Sequence, residues 1–156
     1  MHSTMVLKMF ISGTLILMTL SSCADRKPDT VGVHNQQLSN CPDSPNCVSS
    51  TVQDQEHQIA PFHVKGKSDI IWSQLLQTID SFPRCLMITK TDVYLHMECK
   101  SLIFRFVDDL ELLLTPTTGI IDIRSASRLG KSDFGVNRKR VESLRQVLLN
   151  KGLIES

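Results

Sequence analysis

The last third of the chain concentrates cationic and hydroxyl side chains at spacings that could bind an anion. Arg124 and Arg128 lie four residues apart in an extended stretch, and Arg138 and Arg140 fall where a helical pattern begins. Guanidinium groups bind carboxylates and phosphates through paired hydrogen bonds. Cations in the first turn of a helix oppose its dipole and so need a negative counterpart. The candidate anion- or partner-binding residues are Arg124, Ser125, Ser127, Arg128, Asn137, Arg138 and Arg140.

Two non-catalytic roles are open for this positive charge. In a structural role, internal carboxylates pair with the arginines and lock a strand against a helix. In a binding role, the cluster takes an external anion, such as a phosphate or a lipid headgroup, or a protein partner. The internal carboxylates in this part of the chain are Asp108, Asp109, Glu111 and Asp133.

Catalysis is the third role. Asp108 or Asp109 would act as a general base in a hydrolase- or transferase-like enzyme. Arg124, Arg128 and Arg138 would then stabilise the developing charge. Nothing in the spacing selects this chemistry, no G-x-S-x-G elbow is present, and the five histidines are scattered without metal-binding spacing. We therefore assign no catalytic residue, metal or cofactor, and we expect the histidines at the surface or in turns.

Hydrophobic periodicity predicts the elements that would position these side chains. Apolar residues recur on one helical face over 68–82 and again over 137–150, and Ser68 is a suitable N-cap. The strands predicted from alternation cover 84–89, 93–100, 102–115 and 120–126. We expect an α+β fold of two layers, in which an antiparallel meander of about four strands, at about 84–126, is flanked by an N-terminal and a C-terminal helix.

Strand alternation also predicts which side chains face each other. If the hairpin between the first two strands centres on Asp92, then Cys85 lies opposite Cys99. Asp108 and Asp109 are adjacent in an apolar strand. One of these carboxylates must therefore face each side of the sheet, unless a bulge changes their direction.

The four cysteines beyond the N-terminal region are expected to pair two by two in an oxidising compartment. Cys41 and Cys47 are six residues apart in a loop with two prolines, and Cys85 and Cys99 would face each other in the hairpin. Free thiols are the alternative for both pairs, and Cys41 and Cys47 could also pair separately with other cysteines. A zinc site would need two further ligands at a recognisable spacing, and the sequence lacks them.

The N-terminal region predicts export and lipid anchoring. Residues 1–22 carry a short apolar core that ends in Leu-Ser-Ser-Cys, which resembles a bacterial lipobox with Cys23 as the lipidated residue. By resemblance to known sorting rules, Ala24 favours the outer membrane. Residues 23–40 are polar and predict a flexible tether, and residues 41–156 predict a single globular domain. We expect a lipid-anchored protein of the bacterial cell envelope that faces the periplasm.

Composition argues against a nucleic-acid binder. The chain has 17 basic and 16 acidic residues, with one Trp and one Tyr. Nucleic-acid binding needs a large positive field and commonly uses aromatic platforms. The expected partners are therefore the membrane, through the lipid on Cys23, and an unknown protein or anionic ligand.

Three stretches of the sequence resemble a known bacterial family. They are CPDSPNCVSS, FRFVDDLELLL and IDIRSASRLGKSDFGVNRKRVESLR, which lie between Cys41 and Leu149. The last contains R-S-A-S-R-x-G-x-S-D-x-G-x-N-R-x-R, a long motif that resembles the family catalogued as domain of unknown function 1499. The resemblance implies an envelope or secreted domain and supplies no established activity. The motif residues carried over are Asp108, Asp109, Arg124, Ser125, Ser127, Arg128, Gly130, Asp133, Gly135, Asn137, Arg138 and Arg140.

These patterns together predict an envelope lipoprotein whose domain binds a protein partner or an anionic envelope component through the Asp/Arg cluster. An enzyme should instead place Asp108 or Asp109 in an open pocket beside an unpaired Arg124 or Arg128. A purely structural module should bury these groups in mutual contact.

Overall fold

The computed structural model describes residues 26–101 and 106–156. The strands are β1 (Val33–His34), β2 (Gln37–Leu38), β3 (Cys47–Ser49), β4 (Phe62–His63), β5 (Cys85–Lys90), β6 (Tyr94–Lys100), β7 (Val107–Thr115) and β8 (Ile120–Ser127). The helices are α1 (Ser68–Ile79) and α2 (Val136–Asn150). The predicted signal peptide over 1–22, the lipidation site Cys23 and the start of the predicted strand over 102–115 lie outside the described residues. Among the described residues, no helix has the length and apolar character needed to span a bilayer.

One antiparallel sheet of six strands organises the fold. Five strands follow the order β3-β8-β7-β6-β5, and β4 pairs with the same edge of β8 as β3. The α+β class and the meander β5 to β8 are confirmed, but the prediction of about four strands was too low. The additional strands β3 and β4 have three and two residues, which is too short for alternation to show in the sequence. They are held by the hydrogen-bonding edge of β8, which only the assembled sheet provides.

The two helices differ from their predictions mainly at their ends. Helix α1 ends at Ile79 instead of residue 82, because the chain must leave the helix before Pro83. Its N-cap is Lys67, and Ser68 is the first helical residue, so the predicted cap was wrong by one position. The Ser68 hydroxyl instead donates to the carbonyl oxygen of Pro116 at 3.0 Å, which fastens α1 to the β7–β8 turn. Helix α2 matches its prediction to within one residue.

Both helices cover the same face of the sheet, as predicted, and the hydrophobic core lies between the two layers. The sheet contributes Leu95, Met97, Cys99, Leu110, Leu112, Leu114, Ile121 and Ile123. The helices contribute Ile71, Trp72, Leu75, Ile79, Val141, Leu144 and Leu148. Full burial of each aliphatic side chain is worth roughly 1.5–3 kcal/mol relative to exposure. This core therefore fixes α2 against the strands that carry the acidic residues.

The opposite face of the sheet is partly covered by the β1–β2 hairpin. Leu38 of β2 is buried in a small apolar cluster with Tyr94. The backbone N–H of Gly32 donates to Oε1 of Glu111 at 2.8 Å. Gly32 and Leu38 belong to the segment over 23–40 that the sequence predicted as a flexible tether. Part of that segment therefore packs on the sheet.

Two disulfides are present, and the expected pairing of the four cysteines is confirmed. Cys41 is bonded to Cys47, and Cys85 is bonded to Cys99. The second pair joins directly opposed residues of β5 and β6, whose Cα atoms are 4.0 Å apart. Closing a loop of this size stabilises a fold by about 3 kcal/mol by the entropy removed from the unfolded chain.

Candidate functional site

The adjacent aspartates of β7 face opposite sides of the sheet, as their positions predicted. Strand β7 pairs with β6 and β8 without a register shift, so successive side chains alternate. Two separate polar clusters result. The helix-side cluster consists of Asp108, Ser125, Ser127, Asn137 and Arg140. The hairpin-side cluster consists of Tyr94, His96, Glu98, Asp109, Glu111, Arg124 and Arg128.

The helix-side cluster joins β7 and β8 to the first turn of α2. Arg140 Nη2 donates to Asp108 Oδ2 at 2.5 Å, and both side chains are almost completely buried. Arg140 Nη1 donates to Asn137 Oδ1 and to the Ser125 hydroxyl. The amide nitrogen of the fully buried Asn137 contacts the Ser127 hydroxyl at 2.9 Å. This arrangement is the predicted lock between a strand and a helix.

A carboxylate sits at the N-terminus of α2 and supplies the negative charge that the sequence required there. Gly135 adopts a left-handed conformation with φ 75° just before the helix. The Asp133 carboxylate accepts hydrogen bonds from the backbone N–H groups of Gly135 at 2.9 Å and Asn137 at 2.8 Å. It therefore satisfies free N–H groups of the first turn and complements the helix dipole.

In the hairpin-side cluster, Asp109 is surrounded by donors. Arg128 donates from Nε to Oδ2 at 2.9 Å and from Nη2 to Oδ1 at 2.8 Å, a bidentate pair. His96 Nε2 donates to Oδ1 at 2.7 Å. Arg128 Nη2 also donates to Glu98 at 2.5 Å, so one guanidinium joins two acids.

Glu111 forms the second centre of the hairpin-side cluster. Its Oε1 accepts from the Tyr94 hydroxyl at 2.8 Å and from the Gly32 N–H. Its Oε2 accepts from Arg124 Nη1 at 3.0 Å. Two buried nitrogens next to these pairs, His96 Nδ1 and Arg124 Nε, have no hydrogen-bond partner within the described part of the chain.

Burial and the paired charges shift several pKa values in this cluster. Burial opposes ionisation of Asp109, but hydrogen bonds from His96 and Arg128 outweigh it and lower the pKa of this carboxyl. The bonds to Asp109 raise the pKa of Arg128. Burial, together with the Glu111 carboxylate, raises the pKa of Tyr94 far above its ordinary value. Asp109 is therefore held ionised and Tyr94 protonated, a distribution suited to stable ion pairs more than to proton transfer.

Arg138 lies apart from both clusters. Its guanidinium donates to the carbonyl oxygens of Gln58 at 2.8 Å and Glu56 at 2.9 Å. Arg145, about two turns further along the same side of α2, donates to the carbonyl of Pro61 and stacks 4.6 Å from the centroid of the Phe62 ring. These arginines fasten the segment before β4 onto α2, a role that residue spacing did not indicate.

Two histidines are buried, contrary to the expectation from the sequence. His96 and His57 were expected at the surface or in turns, but they are 1% and 7% exposed. Each contacts an aspartate, His96 with Asp109 and His57 Nδ1 with Asp54 Oδ1 at 2.6 Å. Strand alternation places His96 on the same face as Glu98, opposite the apolar row, and so predicted exposure. Its burial depends on tertiary contacts on that face, including the one with Asp109.

A surface groove of about 480 Å³ lies between the end of the β5–β6 hairpin and α2. The wall on the sheet side is formed by the turn after α1 and by the end of β6. The other wall is the side of α2 that carries Lys139. The lining residues are Phe82, Pro83, Arg84, Cys99, Lys100, Val136, Lys139, Arg140, Ser143 and Val147. Four of these side chains are cationic and none is acidic.

Within the described part of the chain, one of the four cations in the groove has an acidic partner. Arg140 is neutralised by Asp108. Arg84, Lys100 and Lys139 are exposed and have no acidic partner within the described ranges 26–101 and 106–156. The groove therefore carries excess positive charge, whereas the arginines of the two buried clusters have acidic partners. No group of three metal-binding side chains occurs among the described residues.

A six-stranded antiparallel sheet with two helices on one face and buried ion pairs on both faces defines a small α+β protein. Residues 37–148 match the family described as protein of unknown function (DUF1499), and the chain belongs to that family. The resemblance seen in the sequence motifs is therefore confirmed. No curated protein and no solved structure matches the chain significantly.

Proposed function

We propose that this chain is an envelope lipoprotein whose folded domain binds an anionic component of the envelope. The observation that supports a binding role is the groove, whose lining contains no acid and in which Arg84, Lys100 and Lys139 have no acidic partner among residues 26–101 and 106–156. Clustered cations in a concave surface raise the local concentration of anions. The anion site is therefore assigned to the groove, with Lys100 and Lys139 as its central residues.

Most arginines of the Asp/Arg cluster are excluded from the proposed anion site, because they already pair with buried acids. Arg124 and Arg128 are buried and paired with Glu111 and Asp109. Recruiting them for an external ligand would leave those carboxylates buried without partners, at a cost of several kcal/mol. Of the arginines that the sequence analysis proposed for binding, only Arg140 reaches the groove.

The alternative roles differ in their support. A catalytic role for Asp108 or Asp109 gains no support, because both carboxylates are buried and bound to arginines. A structural role for the two buried clusters is supported by the same contacts. It is compatible with binding, because the groove lies outside both clusters apart from Arg140.

The proposed location is the outer membrane, where a lipid on Cys23 would anchor the protein so that it faces the periplasm. The two disulfides support an oxidising compartment. Metabolic labelling with an alkyne fatty acid should label the full chain, and Cys23→Ser should abolish the label. Equal labelling of both forms would contradict the anchor. Separation of the inner and outer membranes on a sucrose gradient would test the final location.

The binding proposal is tested by native mass spectrometry of the full chain, purified in dodecyl maltoside, a neutral detergent. We expect the wild type to retain an anionic small-molecule adduct that Lys100→Glu/Lys139→Glu loses. The matched control is Lys151→Glu, which reverses an exposed charge at the other end of α2. Identical adducts in all three proteins, or none in the wild type, would contradict the proposal.

A further inference from the structure

The shape of the groove indicates an elongated ligand. Its α2 wall runs from Val136 through Lys139 and Ser143 to Val147, so the helix rises about 16 Å along it, at about 1.5 Å per residue. An extended chain advances about 1.2 Å per bond, the value implied by the reach of the polypeptide backbone. The groove therefore matches a linear chain of about 14 bonds.

The lining of the groove is apolar between its charges. Phe82 and Pro83 contribute apolar surface from the sheet side, and Val136 and Val147 contribute it from α2. The two valines are 39% and 36% exposed, because they lie outside the buried stripe of the helix. The aliphatic stems of Lys100 and Lys139 extend this apolar surface and keep their ammonium groups in solvent. A ligand that only carried charge would leave most of this surface unused.

Arg84 is placed at the groove by an unfavourable backbone conformation. Its φ is 59°, in the left-handed region that glycine and asparagine adopt at lower cost. The carbonyl oxygen of Arg84 accepts a hydrogen bond from the Lys100 N–H at 2.9 Å, and the neighbouring Cys85 is cross-linked to Cys99. The fold thus holds a cationic side chain at a position where a glycine would be less strained.

We propose that the groove binds an anionic amphiphile with a single alkyl chain. Its carboxylate or phosphate head would contact Lys100, Lys139 and Arg84, and its chain would lie along Val136 and Val147. This inference rests on the proposed function, because it names the class of anion that the cationic groove takes. Charge complementarity and the apolar lining both favour this occupant over a compact inorganic ion.

The test compares amphiphiles with short anions that carry the same head group, so that the contribution of the alkyl chain is measured separately. The full-length lipoprotein in dodecyl maltoside is titrated with dodecanoate, dodecyl phosphate, acetate and inorganic phosphate, and bound species are counted by native mass spectrometry. Dodecyl maltoside itself is the neutral control, because it has the same dodecyl chain without a charged head. We expect dodecanoate or dodecyl phosphate to bind at least ten-fold more tightly than the matching short anion. The preference between the two heads identifies a fatty acid or a phosphate amphiphile.

Variants locate the site. Lys100→Glu/Lys139→Glu should weaken amphiphile binding at least ten-fold, Arg84→Asn a few-fold, and Lys151→Glu not at all. Val136→Asp is the sharpest variant, because an acid in the first turn of α2 favours the helix dipole. It should keep or raise the melting temperature and still repel the ligand.

The outcomes distinguish the two proposals. If acetate or phosphate binds as tightly as its dodecyl counterpart, the amphiphile inference is wrong and the anion-binding function stands. If no anion binds, both are wrong. Amphiphile binding that survives Lys100→Glu/Lys139→Glu, or that excess detergent suppresses as effectively as an anionic competitor, would also overturn the inference.

Discussion

Asp108 and Asp109 are neighbours in the chain, yet their surroundings in the fold differ. Asp108 lies on the face covered by α2 and accepts a hydrogen bond from Arg140, which comes from that helix. Asp109 lies on the face of the β1–β2 hairpin and accepts from His96 and from both ends of the Arg128 fork. The first contact ties two elements of the fold together. The second belongs to a row of charges that runs across the sheet.

The number of donors and the degree of burial therefore decide what each pair contributes to stability. The Arg128 side chain is 3% exposed and that of Arg140 is 9% exposed. Removing one partner of a buried pair leaves an uncompensated charge, and the penalty falls as water gains access.

Arg128→Met should have the largest effect. It would leave Asp109 and Glu98 without their shared guanidinium, so we expect the free energy of unfolding to fall by about 3–5 kcal/mol. Urea denaturation followed by circular dichroism measures this change. The control is Arg128→Met/Asp109→Leu, which removes both partners and should lose less than Arg128→Met alone. A larger loss in the double variant would show that the pair acts through something other than charge compensation.

Arg140→Met tests the other face of the sheet. It removes the hydrogen bond to Asp108, but this pair lies nearer to solvent, so we expect a loss of about 1–3 kcal/mol. The same denaturation experiment measures it. If Arg140→Met is more destabilising than Arg128→Met, the lock between strand and helix outweighs the hairpin-side cluster, and our ranking of the two faces is wrong.

The pH dependence of stability provides a third test. The folded pKa of Asp109 is lowered below the unfolded value of about 3.9. The unfolded state therefore binds more protons between these two pKa values, and the stabilisation, complete above the unfolded pKa, is lost as the pH falls through the folded one. Asp109→Asn should flatten the decline in stability below about pH 4. Denaturation midpoints that decline equally in both proteins would contradict this assignment.

Arg138→Gln should have the smallest effect. Arg138 donates to two backbone carbonyls at an exposed position, so its loss should cost about 1 kcal/mol or less. Because Arg138 does not line the groove, binding of the anionic adduct should be unchanged. Loss of the adduct in native mass spectrometry, with the fold retained, would restore Arg138 to the binding site that the sequence analysis assigned to it.

The sequence predicted the parts of the fold that follow a local period. Alternation located the meander, the opposed faces of Asp108 and Asp109, and the pairing of Cys85 with Cys99, because side-chain direction repeats every two residues along a strand. It did not reveal β3 or β4, whose few residues pair with an edge that exists only after β8 has formed. It also placed Arg138 with the other arginines, although its contacts come from a loop about eighty positions earlier in the chain.

The amino-acid sequence alone determined the α+β class, the family, the faces of the strands and the need for negative charge at the start of α2. The acids that pair with Arg124, Arg128 and Arg140 became evident only in the folded protein, because they lie on β6 and β7, away from these arginines in the chain. The fold also leaves Arg84, Lys100 and Lys139 without an acidic partner among the residues that the structure describes. Arg84 and Lys100 face Lys139 across a groove, because α2 packs on β3 and β8 and leaves a gap beside the ends of β5 and β6. Such long-range pairing is set by packing of the core, and no local pattern of residues encodes it.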